Sequence, residues 1–65
     1  MITNIRKIRE SKNMTQEELA AASGVHAHTI SRIETEQQVY IHIKTLRKIA
    51  KGLGVSVAAL NVQVG

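Results

Sequence analysis

The start and the end of one short helix can be read directly from residues 15–24. Thr15 and Glu18 have the spacing of a capping box, in which the threonine hydroxyl accepts from a backbone N–H three residues on and the glutamate reaches back. Gly24 can adopt the positive φ that commonly ends a helix. This pattern predicts a helix that begins at Thr15 and runs to about Ser23.

A further short helix is predicted immediately after Gly24, from residue 26 or 27 to residue 34. Its buried stripe is Ile30 with Ile33, because residues three apart share one side of a helix. Two short helices joined by a tight turn with a glycine form a helix-turn-helix unit, here at about residues 16–35. The small and apolar residues that would hold the pair together are Leu19, Ala20, Val25, Ile30 and Ile33.

A first helix at about residues 2–12 is predicted from a stripe of isoleucines at positions 2, 5 and 8, and Asn13 tolerates the left-handed conformation that ends such a helix. Arg9 projects near this apolar stripe, and Glu34 lies at the edge of the buried side of the third helix. A buried pair between Arg9 and Glu34 would explain both positions, since an unpaired buried charge costs several kcal/mol. The alternative is that both side chains bend out to solvent.

The second half of the chain predicts a loop at 35–42, a fourth helix at about 43–53 that ends at Gly54, and a short last helix from Ser56 to Leu60. The tail at 61–65 alternates like a strand but is too short to stand alone. The fold class is therefore all-α, one domain of five short helices over residues 1–65. The residues that the fourth helix is expected to bury are Ile43, Leu46, Ile49, Ala50 and Leu53.

Composition narrows the classes of function. The chain of 65 residues has a formal net charge of +4, which favours a polyanionic partner, and no cysteine, which excludes disulfides and thiolate metal sites. His26 and His28 point to different sides of a helix, so neither they nor His42 predict a metal site or a cofactor. No acid–base pair or nucleophile motif predicts an enzyme. No apolar run approaches the roughly 20 residues of a membrane span, so a cytoplasmic protein is expected.

The segment from Ile5 to Leu60 resembles the phage-repressor and Cro type of helix-turn-helix domain, the XRE-like family. The resemblance implies a lambda-repressor-like fold, sequence-specific DNA binding, and a pair between Arg9 and Glu34. The stretches that carry the resemblance are Ile5-Arg6-Lys7-Ile8-Arg9, Thr15-Gln16-Glu17-Glu18-Leu19-Ala20, Ser23-Gly24-Val25, Thr29-Ile30-Ser31-Arg32-Ile33-Glu34, Leu46-Arg47-Lys48-Ile49-Ala50 and Leu53-Gly54-Val55-Ser56.

In that family the third helix enters the major groove. The resemblance implies that Ala27, His28 and Arg32 read bases. Arg32 has the chemistry to bond guanine O6 and N7 together, Ala27 to pack on a thymine methyl, and His28 to donate to a base or a phosphate. The alternative is that these are ordinary solvent-facing residues. Gln16 opens the second helix, where it can bond a phosphate or brace the first side chain of the third helix. The full set of candidate base-reading residues is Gln16, Ala27, His28, Thr29, Ser31 and Arg32.

Contacts to DNA phosphates are less clearly implied, because the 35–42 loop departs from the family. Glu36 stands where a glycine is common, and Ile41 stands where a proline is common. A basic cluster on the fourth helix could follow the DNA backbone, but it is interpreted as a solvated surface except for Lys44. The basic cluster comprises Lys44, Arg47, Lys48 and Lys51; the candidate phosphate contacts are Thr15, Gln37, Gln38, Tyr40, His42 and Lys44.

The sequence therefore predicts a sequence-specific regulator of transcription that binds double-stranded DNA as a homodimer on a pseudo-palindromic operator. Phage Cro-like repressors, restriction–modification controllers and antitoxins remain open as subtypes. A protein-interaction module without DNA binding is the alternative, favoured by the neutral loop and an apolar patch at residues 39–41. The candidate dimer surface, which could instead close the core, is Val57, Leu60, Val62 and Val64.

Overall fold

The computed structural model describes residues 3–37 and 40–60, and within them the chain is all-helical. The elements are α1 (Ile5–Ser11), α2 (Gln16–Ser23), α3 (Ala27–Glu34), α4 (Ile43–Leu53) and a 3-10 helix (Val57–Leu60). The predicted all-α fold is confirmed, with the fifth helix reduced to one 3-10 turn. The predicted tail at 61–65 lies outside the described residues. In the described part of the chain, none of the helices is long and apolar enough to cross a membrane.

Helix α1 begins later than the isoleucine stripe predicts, at Ile5. Asn4 precedes it with φ −101° and ψ 21°, outside the helical region. Its backbone N–H donates to the carbonyl of Leu60 at 3.0 Å, and its side-chain amide donates to the carbonyl of Ala59 at 2.9 Å. Asn4 is therefore tied to the 3-10 helix, and this link joins the two ends of the described chain.

The core lies where α2 packs against α3 on one side and α4 on the other. Its most fully buried side chains are Ile5, Leu19, Ile30, Ile49 and Leu60. Gly52 of α4 lies against Ser23 at the end of α2, so closely that an added Cβ would come within 2.9 Å of the serine Cβ and 3.0 Å of its backbone. The absence of a side chain at Gly52 therefore lets α2 and α4 approach.

Two predictions about the start of α4 are wrong. Ile43 was expected in the core but is 44% exposed, whereas Ile41, expected in an exposed apolar patch, is 6% exposed. His42 between them has an extended backbone, with φ −64° and ψ 143°. Ile41 thereby supplies the apolar side chain that packs on the core, and Ile43 at the first position of α4 is left at the surface. Val39 of the expected patch lies outside the described residues.

Candidate nucleic-acid interface

Helix α3 presents two different sides. Ile30 is fully buried and Ile33 is 3% exposed, so the side of α3 that carries them packs in the core. His28 and Arg32 are exposed on the other side. Between the two sides lie the half-buried residues Ala27, Thr29 and Ser31. The polar side predicted from helical periodicity is therefore open to a partner.

The turn before α3 is built as the sequence predicts. Thr15 and Glu18 form the capping box of α2: the threonine hydroxyl accepts from the Glu18 N–H at 3.0 Å, and Glu18 accepts from the Thr15 N–H at 2.9 Å. At the other end Gly24 has φ +75° and donates to the Ala20 carbonyl at 2.9 Å. Val25 follows, 8% exposed, and packs into the core. Both ends of α2 are thus fixed, and so is the entry into α3.

The far end of α3 is held by the pair between Arg9 and Glu34. The guanidinium donates from Nε to Oε2 at 2.7 Å and from the second terminal nitrogen to Oε1 at 2.9 Å, which is a two-bonded arrangement. The side chains are only 10% and 2% exposed. Arg9 also donates to the carbonyl of Met14 at 2.6 Å. The alternative of two solvent-exposed side chains is therefore wrong.

The electrostatics of this pair are consistent with its geometry. The hydrogen bonds to Glu34 raise the pKa of Arg9 above its ordinary value; burial opposes that shift, and the charge of Glu34 adds to it. A raised pKa favours the folded protein at every pH below the ordinary value for arginine, and that contribution disappears only above it. The guanidinium therefore stays charged throughout the neutral range.

A third side chain completes this cluster. The amide nitrogen of Gln16, the first residue of α2, donates to Oε1 of Glu34 at 3.1 Å. Its partner is the last residue of α3, not the first as one interpretation of the sequence had it. Arg9, Gln16 and Glu34 thus connect α1, α2 and α3 at one point. No spacing rule points to the Gln16–Glu34 bond, because the two residues are 18 positions apart and meet only through the crossing of two helices.

Comparison with known proteins decides the family. Residues 5–60 match the helix-turn-helix family. The chain belongs to the XRE-like helix-turn-helix family. It is 36% identical over 62 residues to control protein C.SmaI of Serratia marcescens, a match that covers 95% of this chain and 73% of the relative. No solved structure matches the chain. The family and this relative support a DNA-binding regulator of transcription rather than an enzyme.

The candidate phosphate contacts of this helix-turn-helix protein are distributed over the start of α2, the 35–42 loop and the first turn of α4. Thr15, Gln37, Tyr40 and Lys44 are all exposed, whereas Gln38 lies outside the described residues. His42 is also exposed, and its Nδ1 accepts from the Lys44 N–H at 3.0 Å, so it caps α4. An accepting Nδ1 leaves Nε2–H as the donor of this imidazole.

The basic cluster of α4 lies on the surface. Ion pairs in the described residues join Arg6 to Glu10 and Arg9 to Glu34, and neither involves α4. All four members of the basic cluster are exposed: Lys44, Arg47, Lys48 and Lys51. They add positive potential next to the helix-turn-helix unit, which attracts a polyanion over a distance of about one Debye length.

Of the four candidate dimer residues, the structure describes Val57 and Leu60. Leu60 has no exposed area, so its assignment as a dimer contact is wrong: a side chain enclosed by its own chain cannot reach a partner. Val57 is half-buried and packs on the edge of the core. Val62 and Val64 lie outside the described residues.

Across residues 3–37 and 40–60, no group of three or more His, Asp or Glu side chains could hold a metal ion.

Proposed function

We propose that the protein is a sequence-specific regulator of transcription that inserts α3 into the major groove of an operator. The observation that carries this proposal is the contrast between the two sides of α3. Ile30 and Ile33 are buried, while His28 and Arg32 are exposed on a helix that is fixed at both of its ends. A rigid helix with a free polar side has the diameter and the chemistry to read base edges in a groove about 12 Å wide.

Each residue of this side has a proposed role. Arg32 donates to O6 and N7 of a guanine, a contact that discriminates between bases by roughly 1–3 kcal/mol. Ala27 lies against a thymine methyl group, and His28 donates to a base or a phosphate. Thr29 and Ser31, which are half-buried, make shorter contacts beside them.

A second copy of the chain is part of the proposal. One module of this size buries roughly 600–1,000 Å² on DNA, less than most tightly specific complexes bury. Two copies related by a two-fold axis would read half-sites about 10 base pairs apart, or a multiple of that spacing. Val57 at the edge of the core, together with Val62 and Val64, is the proposed dimer contact, without Leu60.

The name of the relative supports one regulator subtype. The name of C.SmaI describes it as a control protein. Among the subtypes that the sequence leaves open, this name favours a controller over a phage repressor or an antitoxin. We therefore propose a controller whose operator lies near the genes that it regulates.

Selection of bound duplexes from a random pool tests this function. The selected sequences should converge on an inverted repeat, and sedimentation of the complex should give two chains per duplex. Enrichment of a single half-site with one chain bound would contradict the dimer. No enrichment by folded protein at low salt would contradict sequence-specific DNA binding.

A protein-interaction module is the second candidate function, and one observation favours it. Tyr40 and Ile43 are 66% and 44% exposed, three positions apart at the start of α4. Large exposed apolar side chains in proximity are typical of protein contacts. Failure of the duplex selection by folded protein would favour this candidate over the DNA-binding one.

A further inference from the structure

The cluster formed by Arg9, Gln16 and Glu34 combines a buried ion pair with a glutamine residue that is only half-buried. Glu34 accepts three hydrogen bonds, at 2.7 and 2.9 Å from Arg9 and at 3.1 Å from Gln16. The Glu34 side chain is 2% exposed, so its burial fixes its position. Gln16 lies at the first position of α2 and is half-buried as a residue.

The chemistry of this contact fixes which way the Gln16 amide points. An ionised carboxylate only accepts hydrogen bonds, whereas an amide has a donating nitrogen and an accepting oxygen. The nitrogen of Gln16 must therefore face Glu34, and a flipped amide would place two acceptors together. One N–H is used by Glu34, and the second N–H remains for another acceptor.

We propose that Glu34 is a positioning residue for DNA binding, because it holds Gln16 so that the second amide N–H donates to a phosphate oxygen of the duplex backbone. This inference rests on the proposed function. When α3 occupies the groove, α2 crosses the DNA backbone, so the first residue of α2 meets phosphates rather than bases. The buried pair thus links the stability of the fold to the order of one DNA-binding side chain.

The benefit of this arrangement is an amide that is ordered before DNA arrives. Immobilising a flexible side chain on binding costs roughly 0.5–1.5 kcal/mol, so a Gln16 held in place by Glu34 should bind a duplex about two- to tenfold more tightly than a free one. Phosphate contacts carry no sequence information. The gain should therefore be equal on the selected operator and on an unrelated duplex.

The first test is made on the free wild-type protein by NMR. The heteronuclear NOE of the side-chain NH₂ group should be high for Gln16, as in the backbone of a helix, and low for Gln37. Gln37 is the internal control because it is exposed. An equally low NOE at Gln16 and Gln37 would overturn the proposal, whatever the protein binds.

The second test is a double-mutant cycle in DNA affinity. Arg9→Met with Glu34→Leu replaces the ion pair by apolar side chains, a change that is often neutral or stabilising, and removes the acceptor of Gln16. This double variant should bind both duplexes about two- to tenfold more weakly. Gln16→Met should weaken wild-type binding but have a smaller effect in the double-variant background.

The outcomes separate this inference from the function on which it rests. If Gln16→Met causes the same fold-change in both backgrounds, Glu34 does not position Gln16 and the inference is wrong while DNA binding stands. Weakening on the operator alone would assign Gln16 to a base edge and overturn the phosphate contact. If wild-type protein selects no duplex, the proposed function fails and this inference fails with it. If the double variant does not fold, the NMR comparison decides.

Discussion

Helices α3 and α4 end in the same backbone arrangement but with different residues in the left-handed position. After α4 this residue is Gly54, with φ +71°, and after α3 it is Glu36, with φ +62°. Each end is closed by the two backbone hydrogen bonds of a Schellman motif. A residue with a Cβ pays roughly 1–2 kcal/mol for this conformation, which glycine avoids. The end of α3 is therefore locally strained, and the end of α4 is not.

The strained end of α3 is compensated by a distant contact. Glu34, two residues before Glu36, is bound by Arg9 from α1 and by Gln16 from α2. The end of α4 depends on a residue suited to its backbone, whereas the end of α3 depends on charges brought together by the fold. In the helix that we propose to read DNA, the buried pair fixes the last turn.

Removing the carboxylate from the pair should have the largest effect. Glu34→Ala leaves the Arg9 guanidinium buried without its partner, which typically costs about 3–5 kcal/mol. A domain of 65 residues has little stability to spare, so this variant should be largely unfolded at 25 °C. Circular dichroism and urea denaturation would measure the loss.

Glu10→Ala is the matched control for that variant. Glu10 pairs with Arg6 at 3.5 Å, but the Arg6 side chain is 63% exposed and the Glu10 side chain is 56% exposed. An exposed pair contributes about 0–1 kcal/mol. If Glu34→Ala and Glu10→Ala lowered the free energy of unfolding equally, the buried pair would not be what holds α3.

Adding a methyl group to α4 tests how closely the helix is held. Gly52→Ala in an isolated helix would stabilise by about 1 kcal/mol. Here the new Cβ would meet the Cβ and backbone of Ser23 at 2.9–3.0 Å, so the helices must shift, at a cost of about 1–3 kcal/mol. Chemical denaturation should show net destabilisation. A stabilised variant would show that α2 and α4 separate easily.

Gly54→Glu places at the end of α4 the residue that α3 already has. The variant should lose about 1–2 kcal/mol, because the glutamate must adopt φ near +71°. No atom lies within 4 Å of the position of an added Cβ, so the loss would reflect the backbone alone. An unchanged midpoint of thermal unfolding would show that the two helix ends are equally tolerant of a side chain.

Glu36→Gly is the reverse exchange and should have the smallest effect. Relief of the strained φ should stabilise the protein by about 1 kcal/mol or less, since glycine also gains freedom in the unfolded chain. The midpoint of thermal unfolding would rise by about 4–8 °C for each kcal/mol gained in a domain of this size. Gln37→Gly is the control and should give no gain. A lower midpoint of thermal unfolding for Glu36→Gly would mean that the glutamate side chain itself stabilises the fold.

Most of the fold could be predicted because its signals are local. The capping box, Gly24, Gly54 and the apolar stripes predicted the ends of α2, α3 and α4 within about one residue, and Asn13 predicted the end of α1. The start of α1 could not be found this way, because Asn4 is tied to the carbonyls of residues 55 and 56 positions later. The burial of Ile41 and the exposure of Ile43 were predicted the wrong way round for a similar reason, because periodicity does not show where a loop returns to the core.

The site divides in a similar way. Helical periodicity predicts the open side of α3. The Arg9–Glu34 pair is predicted by the position of Arg9 near an apolar stripe and by the family pattern. In the sequence Glu36 is visible only as a departure from the family pattern, and its positive φ is seen only in the structure. The bond from Gln16 to Glu34 required the crossing angle of two helices. Which bases are read depends on a partner and is still a proposal.

The proposed function requires that the open side of α3, led by Arg32, reads a duplex. The direct measurement is the affinity of Arg32→Ala for the selected duplex and for a scrambled one, by fluorescence anisotropy at fixed salt. Arg47→Ala removes the same charge from α4 and is the control. Arg32→Ala should lower the affinity ratio between the two duplexes by about 5- to 150-fold, and Arg47→Ala should leave the ratio unchanged. An unchanged ratio for folded Arg32→Ala would show that α3 does not read the duplex through Arg32.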